Sequence, residues 1–93
     1  MYKIIDNSAC TLYLDFKENI AYVYGELRTF NKSSYRDTFD NWASTLEALR
    51  KEGYDKVFTQ IKKEHGSVKT FQMRLGFKEY TETDTDLIMV KEL

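Results

Sequence analysis

Two stretches of this chain alternate between apolar and polar residues, and two others repeat every three or four positions. In 11–16, Leu12, Leu14 and Phe16 alternate with Thr11, Tyr13 and Asp15, the period of a half-buried strand. After a tight polar turn at Lys17-Glu18-Asn19 the alternation resumes from Ile20 to Arg28, with Ile20, Tyr22 and Tyr24 on one face and Ala21, Val23 and Leu27 on the other. The two segments therefore form a β-hairpin, and Lys3–Ile5 is a candidate short edge strand ahead of it. Beyond Asn31-Lys32-Ser33-Ser34 the period changes. Tyr35, Phe39, Trp42, Leu46 and Leu49 are spaced four, three, four and three, which draws one apolar stripe along a helix reaching about residue 52. Ser33 or Ser34 suits its N-cap, Asp37 suits the positive end of its dipole, and Gly53 suits its C-cap.

The second half repeats the plan on a smaller scale. A strand over 55–61 carries Val57, Thr59 and Ile61 on one face and Phe58 on the other. A short helix over 66–75 offers Val68, Phe71 and Leu75 to the core and is stopped by Gly76. Strands over 77–81 and 86–91 flank the polar turn Glu82-Thr83-Asp84-Thr85. Because Leu87-Ile88-Met89-Val90 is apolar on both faces, the last strand must be central or covered on both sides. The predicted order is β-β-α-β-α-β-β, an α/β (α+β) domain with a mixed sheet and two crossover helices.

Composition narrows the class. Ninety-three residues make a single domain, 1–93, and 42% apolar with 15% aromatic residues is enough for a packed core. Fourteen basic residues against fifteen acidic ones leave a formal charge of −1, which sets up no long-range field to attract nucleic acid or an anionic membrane. A lone cysteine, Cys10, excludes an internal disulfide and fits a reducing, cytoplasmic setting. With no signal peptide and no apolar run of even ten residues, no segment is expected to enter or cross a membrane. In style, the small, proline-free, aromatic-rich chain suits a phage or mobile-element accessory protein.

The run Phe71-Gln72-Met73-Arg74-Leu75-Gly76-Phe77-Lys78-Glu79-Tyr80, together with the helix–Gly–strand unit Glu52-Gly53-Tyr54-Asp55-Lys56-Val57, resembles the carboxy-terminal signature of the GNAT (N-acetyltransferase) superfamily. The resemblance covers residues about 10–93 and implies a truncated, GNAT-like, twisted mixed sheet without the front strand and helices of a full-length member. It also implies an acetyl-CoA site whose pyrophosphate motif opens the long helix: Arg or Gln, two residues, Gly, one residue, then Gly or Ala. Glycines there let free amides and the helix dipole reach the phosphates.

This chain departs from that pattern. Counted back from Gly53, the motif falls on Ser33-Ser34-Tyr35-Arg36-Asp37-Thr38, with Arg36 and Thr38 in place of the two small residues and Asp37 adding negative charge. The Tyr that often serves the family as general acid is matched by Gln72, which cannot donate a proton in that way. The Asn near the start of that helix is matched by His65. The resemblance with these departures implies a non-catalytic binding module, with a protein partner or self-association and no cofactor. Tyr13, Tyr22, Tyr24 and Tyr80 are the interface candidates, standing either on an open sheet face or in a second core covered by Tyr35 and the short helix. The alternative is an N-acyltransferase that holds acetyl-CoA through Lys32, Ser34 and Arg36. Lys62, Lys63, Lys69 and Arg74 are further candidates for phosphate there.

Three other features have plain readings. His65 suits a capping or exposed histidine, and Cys10 a half-buried strand cysteine. Glu82, Asp84 and Asp86 lack the spacing of an oxygen-ligand loop, so they read as a solvated hairpin tip and no metal is expected.

Overall fold

A computed structural model of the chain describes residues 2–28, 32–64 and 66–93. Six strands, β1 (Tyr2–Asp6), β2 (Cys10–Lys17), β3 (Ile20–Leu27), β4 (Lys56–Lys62), β5 (Lys78–Glu82) and β6 (Asp86–Glu92), form one sheet in the order β1-β2-β3-β4-β6-β5. Two helices, α1 (Lys32–Lys51) and α2 (Gly66–Arg74), connect β3 to β4 and β4 to β5. The fold is a mixed α+β globule. All neighbouring strands run antiparallel except β3 and β4, which are parallel and paired only at Ala21–Val57 and Tyr22–Phe58. Two antiparallel halves therefore meet at a single short seam in the middle of the sheet.

The β2–β3 hairpin follows from its turn. Lys17 pairs with Ile20, and the two residues between them, Glu18 and Asn19, have φ of 52° and 65°. Two left-handed residues make the type I′ loop, whose twist matches that of the flanking strands. The register then sets Leu14 opposite Val23 and Tyr13 opposite Tyr24, one pair on each face of the sheet.

The helix-facing side carries the core. Leu12, Leu14, Ala21, Val23, Val57, Ile61, Leu87 and Met89 meet Trp42 and Leu49 of α1 and Phe71 of α2 there. Tyr35, Phe39 and Leu46 pack against the same cluster, so the whole predicted stripe of α1 faces inward. Gly25 keeps the sheet open for Leu12, whose Cδ2 lies 2.6 Å from where a Cβ would stand.

Both helices stop in the same way. Gly53 (φ 96°) donates to Arg50 O while Tyr54 N donates to Leu49 O, and Gly76 (φ 100°) donates to Met73 O while Phe77 N donates to Gln72 O. These paired bonds to the third- and fifth-previous carbonyls are the Schellman arrangement. Their left-handed residue favours glycine because it has no Cβ to clash. Each turn sends an aromatic residue straight back to the body of the protein. Phe77 stacks on Trp42 with ring centroids 5.8 Å apart, and the Trp42 indole N–H donates to Leu75 O across 2.9 Å in the buried interior. One side chain of α1 thus satisfies a free carbonyl at the end of α2.

Two expectations change. The order β-β-α-β-α-β-β gains a strand, because Tyr2–Asp6 is a full edge strand, with Ile5 buried opposite Leu12. A bulge between Lys3 and Ile5 breaks the period of two that would have announced it. The long helix starts at Lys32, so Ser33 and Ser34 sit inside its first turn and are not its N-cap. The preceding Asn31 lies outside the described residues. The Thr38 hydroxyl donates to Ser34 O (2.8 Å), and Asn7 Nδ2 reaches both Thr38 Oγ1 (3.0 Å) and Ser34 O (3.3 Å). Asn7 Oδ1 meanwhile accepts from the amides of Ala9 and Cys10. This turn before β2 ties the amino end of α1 to the sheet.

Replacing Trp42 by Phe keeps the ring but leaves the buried Leu75 carbonyl without its donor. A cost of about 1–3 kcal/mol is expected, read as a lower urea midpoint with an unchanged slope. A midpoint equal to wild type would show that the bond contributes nothing.

Candidate functional site: an aromatic sheet face

Among the described residues, no helix lies on the other side of the sheet. Alternation in β2 and β3 sends Tyr13, Tyr22 and Tyr24 there, and register carries the same face through Phe58 and Gln60 of β4 to Ile88 and Val90 of β6. None of these residues belongs to the helix-facing core cluster. Tyr35, the residue that could have covered this face, instead meets Phe39 and Phe71 on the helix side, with ring centroids 5.6 Å apart in both cases. The tyrosines therefore line an open surface and do not form a second core.

Their rings form a continuous row. Tyr24 stacks on Tyr22 (6.3 Å between centroids), Tyr22 meets Phe58 (6.1 Å), and Phe58 meets the edge-on ring of Tyr80 (5.5 Å). Tyr80 reaches the row through a bulge between Glu79 and Thr81, and it stays 61% exposed. Between Tyr22, Phe58 and Tyr80, with Ile20 and Ile88 at the sides, lies a shallow hollow of about 240 Å³. Tyr13, Tyr22, Tyr24 and Phe58 are half-exposed, so this face presents aromatic surface to solvent. Val90 on this face is 4% exposed because β6 is central, flanked by β4 and β5, one of the two positions its apolar run allows.

The flanks of this face carry both signs of charge. Lys17 Nζ stands 5.9 Å from the Tyr22 ring centroid, Lys62 pairs with Asp86 (3.2 Å), and Lys78 lies 3.8 Å from Glu92. The Gln60 amide, and then Lys62, hold the Asp86 carboxyl below its ordinary pKa.

A second concavity, about 410 Å³, opens between the carboxyl end of β3, the start of α1 and one side of α2. Leu27, Arg28, Tyr35, Ser67, Phe71 and Arg74 are among its walls. The carboxyl end of strands in an open α/β sheet is the usual place for a small-molecule crevice. Lys32, Ser34 and Arg36 are not among its lining residues. Lys32 and Arg36 are exposed, and the Ser34 hydroxyl lies 2.6 Å from that of Ser8. Arg28 is engaged by Asp6 (2.9 Å) and the Asn7 carbonyl (2.6 Å). The basic residues expected to gather there disperse: Lys62 pairs with Asp86, Lys63 with Glu82 and Lys69 with Glu79, and only Arg74 reaches the crevice. Residues 29 and 30 lie outside the described residues, as does His65. Gln72 is buried at 1% exposure, with no hydrogen-bond partner for its Oε1.

Cys10 is buried with its Sγ 3.6 Å from Thr38 Oγ1, and burial raises its thiol pKa, which leaves it a poor nucleophile. Among the described residues no group of three His, Cys, Asp or Glu side chains is placed to hold a metal, and no helix is long and apolar enough to cross a membrane. Sequence reasoning missed Phe58, the centre of the aromatic row. Its place was legible as the residue facing away from Val57 and Thr59, but its contact with Tyr22 depends on which strands pair. Compared with known proteins, the chain matches no family model, no curated protein and no solved structure.

Asp86 makes this face sensitive to acid. Its folded pKa lies below the ordinary carboxylate value, so its contribution to stability is complete above that value. The contribution is lost as the pH falls through the folded pKa. An Asp86→Asn variant should melt lower at neutral pH and lose less melting temperature on acidification than wild type. Parallel acid profiles would contradict the assignment.

Proposed function

We propose that the chain is a non-catalytic, GNAT-like binding module that acts through its open aromatic face. The observation that carries this reading is the unbroken row Tyr24–Tyr22–Phe58–Tyr80 on the side of the sheet that neither helix covers. A surface of stacked, half-exposed rings gives contact area with few rotatable bonds to immobilise, which favours a protein partner or another copy of the chain. A net charge of −1 argues against nucleic acid as the ligand.

The GNAT-like part of the reading rests on order and turns. A parallel β3–β4 pair at mid-sheet, a last strand inserted between β4 and β5, and two helices stopped by glycine suit the resemblance carried by Leu75-Gly76-Phe77. The absence of catalysis is argued from side chains. Thr38 is fully buried and hydrogen-bonded where the motif wants a small residue beside the phosphates, and Gln72 is enclosed where the family's acid would stand.

The second reading, an N-acyltransferase using acetyl-CoA, is favoured by the crevice at the end of β3. It has room for a thioester arm beside Tyr35 and Phe71, with Arg74 at its wall. Titration with acetyl-CoA separates the two. The module reading expects neither heat nor a shift in melting temperature, because a ligand that binds the folded state raises stability by RT ln(1 + [L]/Kd). Saturable binding in the micromolar range would overturn it in favour of the enzyme.

A further inference from the structure

We propose that the aromatic face pairs with the same face of a second copy of this chain, sheet on sheet, about a two-fold axis parallel to the β3–β4 seam. This rests on the reading of the face as a binding surface and names its partner.

Size comes first. The molecule measures 34 × 33 × 20 Å, and six strands at about 4.8 Å spacing need roughly 25 Å of width, so the sheet lies along the two long dimensions. One such face matches the roughly 800 Å² that each partner contributes to a standard interface.

Register supplies the stronger argument. The seam lies midway in the order β1-β2-β3-β4-β6-β5, so a two-fold axis along it lays β3 over the partner's β4 and β2 over the partner's β6. Positions level with each other in the sheet then meet their counterparts. Tyr22 falls over the second copy's Phe58, since these two are paired across the seam, and Tyr13 falls over its Ile88. Charges match as well. Lys17, level with Ile20, comes over Glu92, level with Lys56. Glu26, five residues beyond Ala21, comes over Lys62, five beyond Val57. Each attraction occurs twice in such an isologous contact. A formal charge of −1 per chain adds almost no repulsion between copies.

Sedimentation equilibrium across the micromolar range tests this, on wild type and on variants at exposed positions. Wild type should approach twice the 11.0 kDa chain mass. Lys17→Glu should weaken the dimer about tenfold, through two repulsive pairs, and Lys17→Glu with Glu92→Lys should restore it. Tyr24→Glu, which puts a carboxylate into the contact twice, should weaken it about a hundredfold or more. Hydroxyl-radical labelling of wild type gives a readout free of folding defects, since Tyr13, Tyr24 and Tyr80 should become protected as concentration rises while Tyr2 does not. A wild type that stays monomeric overturns the pairing, as does a dimer indifferent to all three variants with no change in tyrosine labelling. A monomer without affinity for acetyl-CoA would sink the pairing and leave the module reading standing with a foreign partner. A dimer of the expected behaviour that also binds acetyl-CoA would keep the pairing and sink the module reading.

Discussion

The bond from the Trp42 indole to the Leu75 carbonyl, with Phe77 stacked on the same ring, holds the rest of the architecture in place. It joins the middle of α1 to the end of α2, so neither helix can leave the side of the sheet on which the other packs. Both glycine turns return the chain to the sheet at once. One face therefore receives the entire helical cover, and the other is shielded only by its own strand side chains. The aromatic row is what the sheet must present once its cover is confined to one side.

Much of this was legible in the residues themselves. Period-two alternation in β2 and β3 placed each side chain on its face. The stripe on α1 named its core residues, and Gly53 and Gly76 marked both helix ends. These signals are local, carried by neighbours a few positions apart. What escaped depends on distant contacts. Thr38 is polar and sits at the edge of the stripe, but Asn7, thirty-one residues earlier, gives it a partner that makes burial affordable. Gln72 carries no apolar signal of its own on a short helix, yet it is buried at 1% exposure next to the core residue Phe71. The bulges at β1 and β5 shift register by one residue, and no periodicity announces them.

The candidate sites divide along the same line. Tyr13, Tyr22, Tyr24 and Tyr80 could be named from alternation alone, yet whether they were core or surface turned on where Tyr35 and α2 went. The basic residues read along the chain as a loose cluster near two helix ends. In space Lys62, Lys63 and Lys69 each turn to an acidic residue of β5, β6 or the turn between them, because the antiparallel β5–β6 hairpin sets Glu79, Glu82 and Asp86 within their reach. That leaves a mildly polar crevice and a broad aromatic face, and the face has the continuous chemistry. At the start of α1, the buried Thr38 and its bond from Asn7 anchor the helix to the sheet.

The central claim is that the sheet is covered on one side only, and aromatic and methyl proton contacts measured in dilute solution test it most directly. Helix protons of Trp42, Phe39 and Phe71 should show contacts to Leu12, Val23, Val57 and Met89. The rings of Tyr22, Phe58 and Tyr80 should show contacts only to one another and to neighbouring strand residues. A contact between any of those three rings and a side chain of α1 or α2 would contradict the account.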